Sequence, residues 1–91
     1  PAEVEAALIE HPSVLEAAVV GGHDDDGLET TVAFVVPAAG QTVDPDELVS
    51  HCRDRMASFK RPRQVFVVDE LPKTATGKIQ RFALRDGLAH R

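Results

Sequence analysis

The chain has 91 residues, enough for one small domain with a single modest core. Its hydrophobic content of 43% argues against intrinsic disorder, and its single cysteine excludes an internal disulfide and fits a reducing compartment. The longest apolar run, residues 32–39, is too short to span a bilayer, and no basic-then-apolar leader is visible. We therefore expect a cytoplasmic domain with no membrane span.

The charge is divided between the two halves of the chain. Residues 1–52 contain eleven Asp and Glu and no Lys or Arg, which gives −11. Residues 53–91 contain ten basic and four acidic residues, which gives +6 and a net charge of −5 for the whole chain. Such an asymmetry indicates either that the second half faces an anionic partner or that the two halves attract each other. Both interpretations stay open at this point.

The first half of the chain predicts a helix and two strands. Residues 1–10 form the helix, because proline suits the first turn and the acidic residues lie near its positive end. The residue before Pro12 ends it. β-branched residues predict strands at 14–20 and 30–36, and the glycines and aspartates of residues 21–27 predict a turn between them.

A second helix is predicted to begin after residue 43. Asp44 has the chemistry of an N-cap, Pro45 suits the first helical position, and Glu47 completes the pattern of a capping box. Apolar residues follow at helical spacing and are predicted to form one buried stripe: Leu48, Val49, Cys52 and Met56.

The remaining elements complete the predicted fold. Residues 64–69 predict a third strand and residues 81–88 a short final helix. The strand phenylalanines Phe34 and Phe66 are expected in the core, whereas Phe82 fits either the core or an interface. The sequence therefore predicts one α+β domain, a small three-stranded sheet with flanking helices in the order α-β-β-α-β-α.

The strongest chemical signal is the segment LPKTATGKIQR at residues 71–81, in a loop between a strand and a helix. Hydroxyls, a flexible glycine and an ammonium on a long stem suit a loop that reaches a phosphate. A Walker A loop is excluded, because Pro72 stands where its first glycine should be and Ile79 replaces the residue that would hold magnesium.

A second signal is the basic segment FKRPR at residues 59–63. An arginine fork pairs well with phosphate and a phenyl ring can stack on a base, although a short basic run is more often a solvated loop. The acids at 24–26 fit a solvated turn better than a metal site. The histidines at 11, 23, 51 and 90 have no metal-ligand spacing, so we expect them at the surface and predict no metal site.

Taken in order, these segments resemble the C-terminal domain of the adenylate-forming superfamily, in particular its acyl-CoA synthetases. LPKTATGKIQR resembles the terminal signature of that superfamily. PAEVE at the start of the chain, HPSV and AAVVG around the first strand, and FKRP resemble further family segments in the same order. The ending TGKIQR and its continuation FALR are similar to benzoate-type aryl-CoA ligases.

This resemblance implies that residues 1–91 are a mobile domain that works with a large N-terminal domain absent from this chain. The implied reaction activates a carboxylic acid with ATP to an acyl-adenylate and then forms a thioester with CoA. Lys78 matches the catalytic lysine of the first step, and Phe59, Arg61 and Arg63 match positions that contact CoA. Magnesium is expected to enter with ATP and to be bound outside this chain, and the chain alone is expected to be inactive.

An alternative function is a non-catalytic module that binds anions or nucleic acid through residues 53–91. The acidic first half and the lack of aromatic residues interleaved with the basic ones argue against it. We therefore expect no nucleic-acid partner.

Overall fold

Six helices and strands make up the fold in the part of the chain that the structure describes. The computed structural model describes residues 2–23, 26–27, 29–55 and 62–89. The predicted α+β class and the order α-β-β-α-β-α are confirmed. In chain order the elements are α1 (Ala2–Ile9), β1 (Val14–His23), β2 (Glu29–Pro37), α2 (Pro45–Arg53), β3 (Gln64–Val67) and α3 (Arg81–Ala89).

The three strands form one mixed sheet in the order β1-β2-β3. β1 and β2 are an antiparallel hairpin, and β3 lies parallel to β2. A parallel neighbour needs a crossover connection, and α2 lies in that connection.

The hairpin is longer than the sequence predicted. β1 continues to His23, so that Gly21 lies opposite Thr31 and Gly22 opposite Thr30. The prediction of a turn from residue 21 onward is wrong at its start. Glycine favours turns locally, but here the cross-strand hydrogen bonds hold both glycines extended.

Alternation along the strands gives the sheet two apolar faces. α1 and α2 cover the first face, and α3 covers the second together with the loop that precedes it. Phe34 is fully buried on the second face, as predicted, and packs on the half-buried Phe66 with ring centroids 5.5 Å apart. The buried strand residues of the first face are Val14, Ala17, Val19, Ala33 and Val35, and those of the second are Ala18, Val20, Val32, Phe34 and Val36.

The start of α2 confirms the predicted N-cap but not the capping box. The Asp44 carboxylate accepts a hydrogen bond from the Asp46 N–H at 3.0 Å. Glu47 does not return to Asp44; its carboxylate lies 3.0 Å from Nε2 of His11, at the end of α1. A tertiary partner therefore takes the side chain that the local pattern assigned to the cap.

The predicted apolar stripe of α2 is confirmed at Leu48 and Cys52, which are both fully buried. Val49 is half-buried, and Met56 lies outside the described residues. Burial raises the pKa of the Cys52 thiol, and the nearby Arg55 guanidinium opposes that shift in part. Cys52 thus serves as a small core residue, as expected.

Two histidines join α1 to α2 instead of lying fully at the surface. His11 and His51 are half-buried, with ring centroids 5.2 Å apart. His51 Nε2 is 2.7 Å from the Ala7 carbonyl, which can accept its proton, and the Ser13 N–H donates to His11 Nδ1 at 3.2 Å. The expectation of surface positions fails because these rings can satisfy backbone groups at the helix junction. No helix of the described segments has the length and apolarity needed to cross a bilayer.

Candidate functional site

Lys78 lies in a hairpin-like loop between β3 and α3, which we call the lysine loop (residues 72–80). Near the base of the loop, the Gln80 N–H donates to the Pro72 carbonyl at 2.8 Å. Lys73 and Ile79 face each other in an isolated antiparallel bridge. The segment predicted as a loop that reaches a phosphate is thus a hydrogen-bonded hairpin.

The tip of the lysine loop is a tight turn. The Gly77 N–H donates to the Thr74 carbonyl at 2.9 Å, and Gly77 has a φ of 88°. That region is strained for residues with a Cβ, so the turn calls for glycine at this position. Thr74 also contacts Lys78 directly: its N–H donates to the Lys78 carbonyl at 2.8 Å, and its hydroxyl oxygen accepts the Lys78 N–H at 3.1 Å.

The base of the loop is fixed by apolar packing. Leu71 is buried and Ile79 is half-buried against the core of the second sheet face. Because neighbouring side chains of an extended segment point in opposite directions, burial of Ile79 turns Lys78 outward. Within the described part of the chain, the exposed Lys78 ammonium has no hydrogen-bond or ion-pair partner.

Two ion pairs anchor the loop where it begins and where it ends. Lys73 pairs with Glu16 of β1. Arg81, the first residue of α3, binds Glu5 of α1 with Nη2 2.6 Å from Oε1. The Glu5 carboxylate also accepts the backbone N–H of Val19 in β1 at 2.8 Å. Sequence reasoning missed both anchors, although the charge asymmetry was the signal that pointed to them.

The structure supports both interpretations of that asymmetry. Among the described residues, three basic residues of the second half pair with glutamates of the first half: Arg55 with Glu10, Lys73 with Glu16 and Arg81 with Glu5. Part of the opposite charge therefore holds the two halves together. In the described segments, four basic residues have no carboxylate within ion-pair distance: Arg53, Arg63, Lys78 and Arg85.

Arg63 is the described member of the predicted CoA-contacting set. Its backbone N–H donates to the Thr31 carbonyl of β2 at 2.7 Å, and the preceding Pro62 is buried, while its own side chain is exposed. Phe59 and Arg61 lie outside the described residues. Along the chain, β3 separates Arg63 from the segment that carries Lys78, so the two cations belong to different loops.

Over the residues that the structure describes, no three His, Cys, Asp or Glu side chains converge as a possible metal site. Asp26 is the described member of the acidic turn, and residues 24 and 25 lie outside the described part.

Comparison with known proteins points to one family. The AMP-binding enzyme C-terminal domain family matches residues 3–78. A benzoate–CoA ligase from Thauera aromatica is 53% identical over 89 residues, which span 93% of this chain and 17% of that ligase. The chain thus corresponds to about one sixth of the relatives that it matches.

Solved structures agree in fold. A benzoate CoA ligase from Burkholderia xenovorans aligns with a TM-score of 0.85 at 52% identity, covering 93% of this chain and 18% of that one. The anthranilate CoA ligase AuaEII, crystallised with anthranoyl-AMP, aligns with a TM-score of 0.91 at 46% identity, covering 99% of this chain and 18% of that one. The sequence match and the shared fold lead to the same assignment: this chain belongs to the AMP-binding enzyme C-terminal domain family.

Proposed function

We propose that this chain is the mobile C-terminal domain of an acid–CoA ligase and that it delivers Lys78 to the adenylation reaction. The observation that carries the proposal is the Lys78 ammonium, which has no partner among the described residues and lies next to the tip of a loop anchored at both ends. Similarity to benzoate–CoA ligases supports the reaction class, and aromatic acids are the substrates that we would test first.

In the proposed first half-reaction, a carboxylate oxygen of the acid attacks the α-phosphorus of ATP. The new P–O bond forms as the bond to the β-phosphate oxygen breaks, and pyrophosphate leaves with that electron pair. Two anions approach each other in this transition state, so a cation between them lowers the barrier. Lys78 supplies that charge from the edge of this domain. The complex of AuaEII with anthranoyl-AMP supports an acyl-adenylate as the product.

In the proposed second half-reaction, the CoA thiol gives up its proton to solvent water and its sulfur attacks the acyl carbon. A C–S bond forms, the bond to AMP breaks, and AMP leaves. Arg63, together with Phe59 and Arg61, would bind the nucleotide end of CoA. Because Arg63 and Lys78 lie on different loops, a rotation of the domain against its large partner would exchange one for the other.

Magnesium is expected to arrive with ATP and to be held outside this chain, as the large domain is expected to supply the remaining ATP contacts. We place the enzyme in the reducing cytoplasm, which suits the free, buried thiol of Cys52.

An activity assay of the intact enzyme tests the proposed reaction as a whole. The intact enzyme that carries this domain is incubated with ATP, CoA and a panel of benzoates and fatty acids, and AMP release and thioester formation are measured. We expect both products with at least one acid, and no turnover from the 91-residue chain alone, which is the matched control. Turnover by the chain alone, or an intact enzyme that releases AMP without forming a thioester, would contradict the proposal.

The role of Arg63 is tested by substitution in the intact enzyme. Losing one charge-assisted contact at an exposed site costs about 1.5 kcal/mol, the low end of the usual range, so Arg63→Ala should raise the KM for CoA about tenfold. Pyrophosphate exchange should stay near the wild-type rate. Arg85→Ala removes another exposed arginine with no described partner and is the matched control. An equal effect of both substitutions would refute the assignment.

A further inference from the structure

The position of the Lys78 ammonium depends on what holds its side chain and its backbone. A lysine side chain has a flexible four-carbon stem, and within the described segments nothing holds the Lys78 Nζ atom. Its position in a complex therefore depends on how firmly the backbone at residue 78 is fixed. A reacting group displaced by about 1 Å can lose about a hundredfold in rate.

A single residue, Thr74, binds both backbone groups of Lys78. The Thr74 N–H donates to the Lys78 carbonyl at 2.8 Å. The Thr74 carbonyl accepts from Gly77 at 2.9 Å, and it is the Thr74 hydroxyl oxygen that accepts the Lys78 N–H, at 3.1 Å. One of the two bonds that fix Lys78 thus belongs to a side chain and can be removed by substitution.

The hydroxyl of Thr74 is itself oriented. Its oxygen lies 2.9 Å from the Thr76 hydroxyl oxygen, and because it accepts the Lys78 N–H its own proton is free to be donated to Thr76. The Thr74 side chain is half-buried, whereas Ala75, Thr76, Gly77 and Lys78 are exposed. Thr74 is therefore the most shielded residue of the turn and the one best placed to keep the tip in one conformation.

We propose that Thr74 is a positioning residue for Lys78 and that its hydroxyl holds the lysine backbone in the geometry that adenylation requires. This inference rests on the proposed function of Lys78. Without the hydroxyl, the ammonium keeps its charge and reach but must be ordered during the reaction. The cost falls on the transition state of the first half-reaction, because the lysine takes no part in the second.

The experiment compares Thr74→Val with Thr74→Ser in the intact enzyme. Valine has the shape of threonine without the hydroxyl, and serine keeps the hydroxyl without the methyl group. Pyrophosphate exchange gives kcat and the KM values for ATP and acid, premade acyl-adenylate isolates the thioester step, and a thermal melt reports folding. Thr74→Val should lower the adenylation kcat about 10- to 100-fold, with unchanged KM values and a normal thioester step. Thr74→Ser should stay within about threefold of the wild type.

A second measurement is independent of catalysis. In Thr74→Val the Lys78 amide should exchange its hydrogen with solvent faster than in Thr74→Ser, since only valine removes its acceptor. In a Lys78→Ala background, Thr74→Val should cause no further loss of adenylation, because a positioning residue has nothing left to position.

Several results would overturn the inference. A wild-type adenylation rate in Thr74→Val, or equal losses in the valine and serine variants, would remove the role of the hydroxyl. A raised KM for ATP with an unchanged kcat would make Thr74 a substrate contact instead. If Lys78→Ala collapses adenylation while Thr74→Val does not, only the inference fails. If Lys78→Ala itself retains full adenylation, the proposed role of Lys78 fails and the inference fails with it.

Discussion

Substitution of Glu5 tests the ion-pair anchor that joins α1, β1 and α3. The Glu5 carboxylate receives the Arg81 Nη2 atom at 2.6 Å and 2.8 Å on its two oxygens, and it accepts the Val19 N–H at 2.8 Å. The Glu5 side chain is only 13% exposed, whereas that of Arg81 is 43% exposed. The Glu5 carboxylate is thus largely shielded from solvent, whereas the Arg81 guanidinium that pairs with it is open to solvent screening.

Glu5 binds both Arg81 and the Val19 N–H, so two substitutions can divide its contribution to the free energy of unfolding between these partners. Glutamine keeps an acceptor for Val19 but loses the charge, and screening at the exposed Arg81 limits the cost of Glu5→Gln to about 1 kcal/mol in the free energy of unfolding. Alanine also leaves the buried Val19 N–H without an acceptor, which adds about 1–3 kcal/mol. Glu5→Ala should therefore cost about 2–4 kcal/mol in all.

Urea unfolding of the 91-residue chain, followed by circular dichroism, measures these differences. Glu10 is the matched control, because it follows the same helix, is 67% exposed and lies 3.6 Å from Arg55. Glu10→Ala should cost no more than about 0.5 kcal/mol, as is usual for exposed pairs. If Glu5→Ala costs no more than Glu10→Ala, the reasoning that assigns Glu5 to the anchor is wrong.

Four further changes have expected outcomes in the same unfolding assay. Phe34→Ala should cost about 3–5 kcal/mol because Phe34 is fully buried, and a loss below about 1 kcal/mol would contradict its place in the core. Gly77→Ala should destabilise by about 1 kcal/mol because residue 77 has a φ of 88°, although a Cβ there would meet no neighbouring atom. Gly87→Ala should stabilise by about 0.5–1 kcal/mol, because Gly87 lies within α3 and a Cβ there would also meet no neighbouring atom. If Gly77→Ala and Gly87→Ala changed the stability in the same direction, this explanation would be refuted. Burial raises the pKa of the Cys52 thiol, so its contribution to stability is complete below the unfolded-state pKa of about 8.5 and is lost as the pH rises through the folded-state pKa. Cys52→Ala should therefore weaken the loss of stability at alkaline pH. A pH profile of stability identical to that of the wild type would contradict this prediction.

Most of the fold could be predicted from signals within short stretches of sequence. Alternating β-branched residues, prolines at element boundaries and the Asp44 cap each act over a few residues, so the element order could be predicted without any tertiary information. The errors occurred where a distant partner prevailed. Gly21 and Gly22 extend β1 because Thr30 and Thr31 pair with them, and Glu47 leaves the cap for a histidine on another element.

The candidate site divides in the same way. The lysine loop could be located from sequence, because a strand and a helix bound it and its hydroxyls and lysines have a recognisable chemistry. The anchor between Glu5 and Arg81 could not, since it joins residues 76 positions apart and depends on how α1 and α3 pack. The charge asymmetry indicated that acidic and basic halves differ, but not which charges pair and which remain available.

The most direct test of the account is Lys78→Ala in the intact enzyme, with both half-reactions measured on one preparation. Losing one preorganised donor to a transition state typically costs about 10²–10³ in rate, so pyrophosphate exchange should fall by at least that factor. Thioester formation from premade acyl-adenylate should stay near the wild-type rate. The melting temperature should not change, because the Lys78 side chain is exposed and has no partner in the described part of the chain. Equal losses in both half-reactions with an unchanged melting temperature, or adenylation at the wild-type rate, would contradict the proposed role of Lys78 in adenylation.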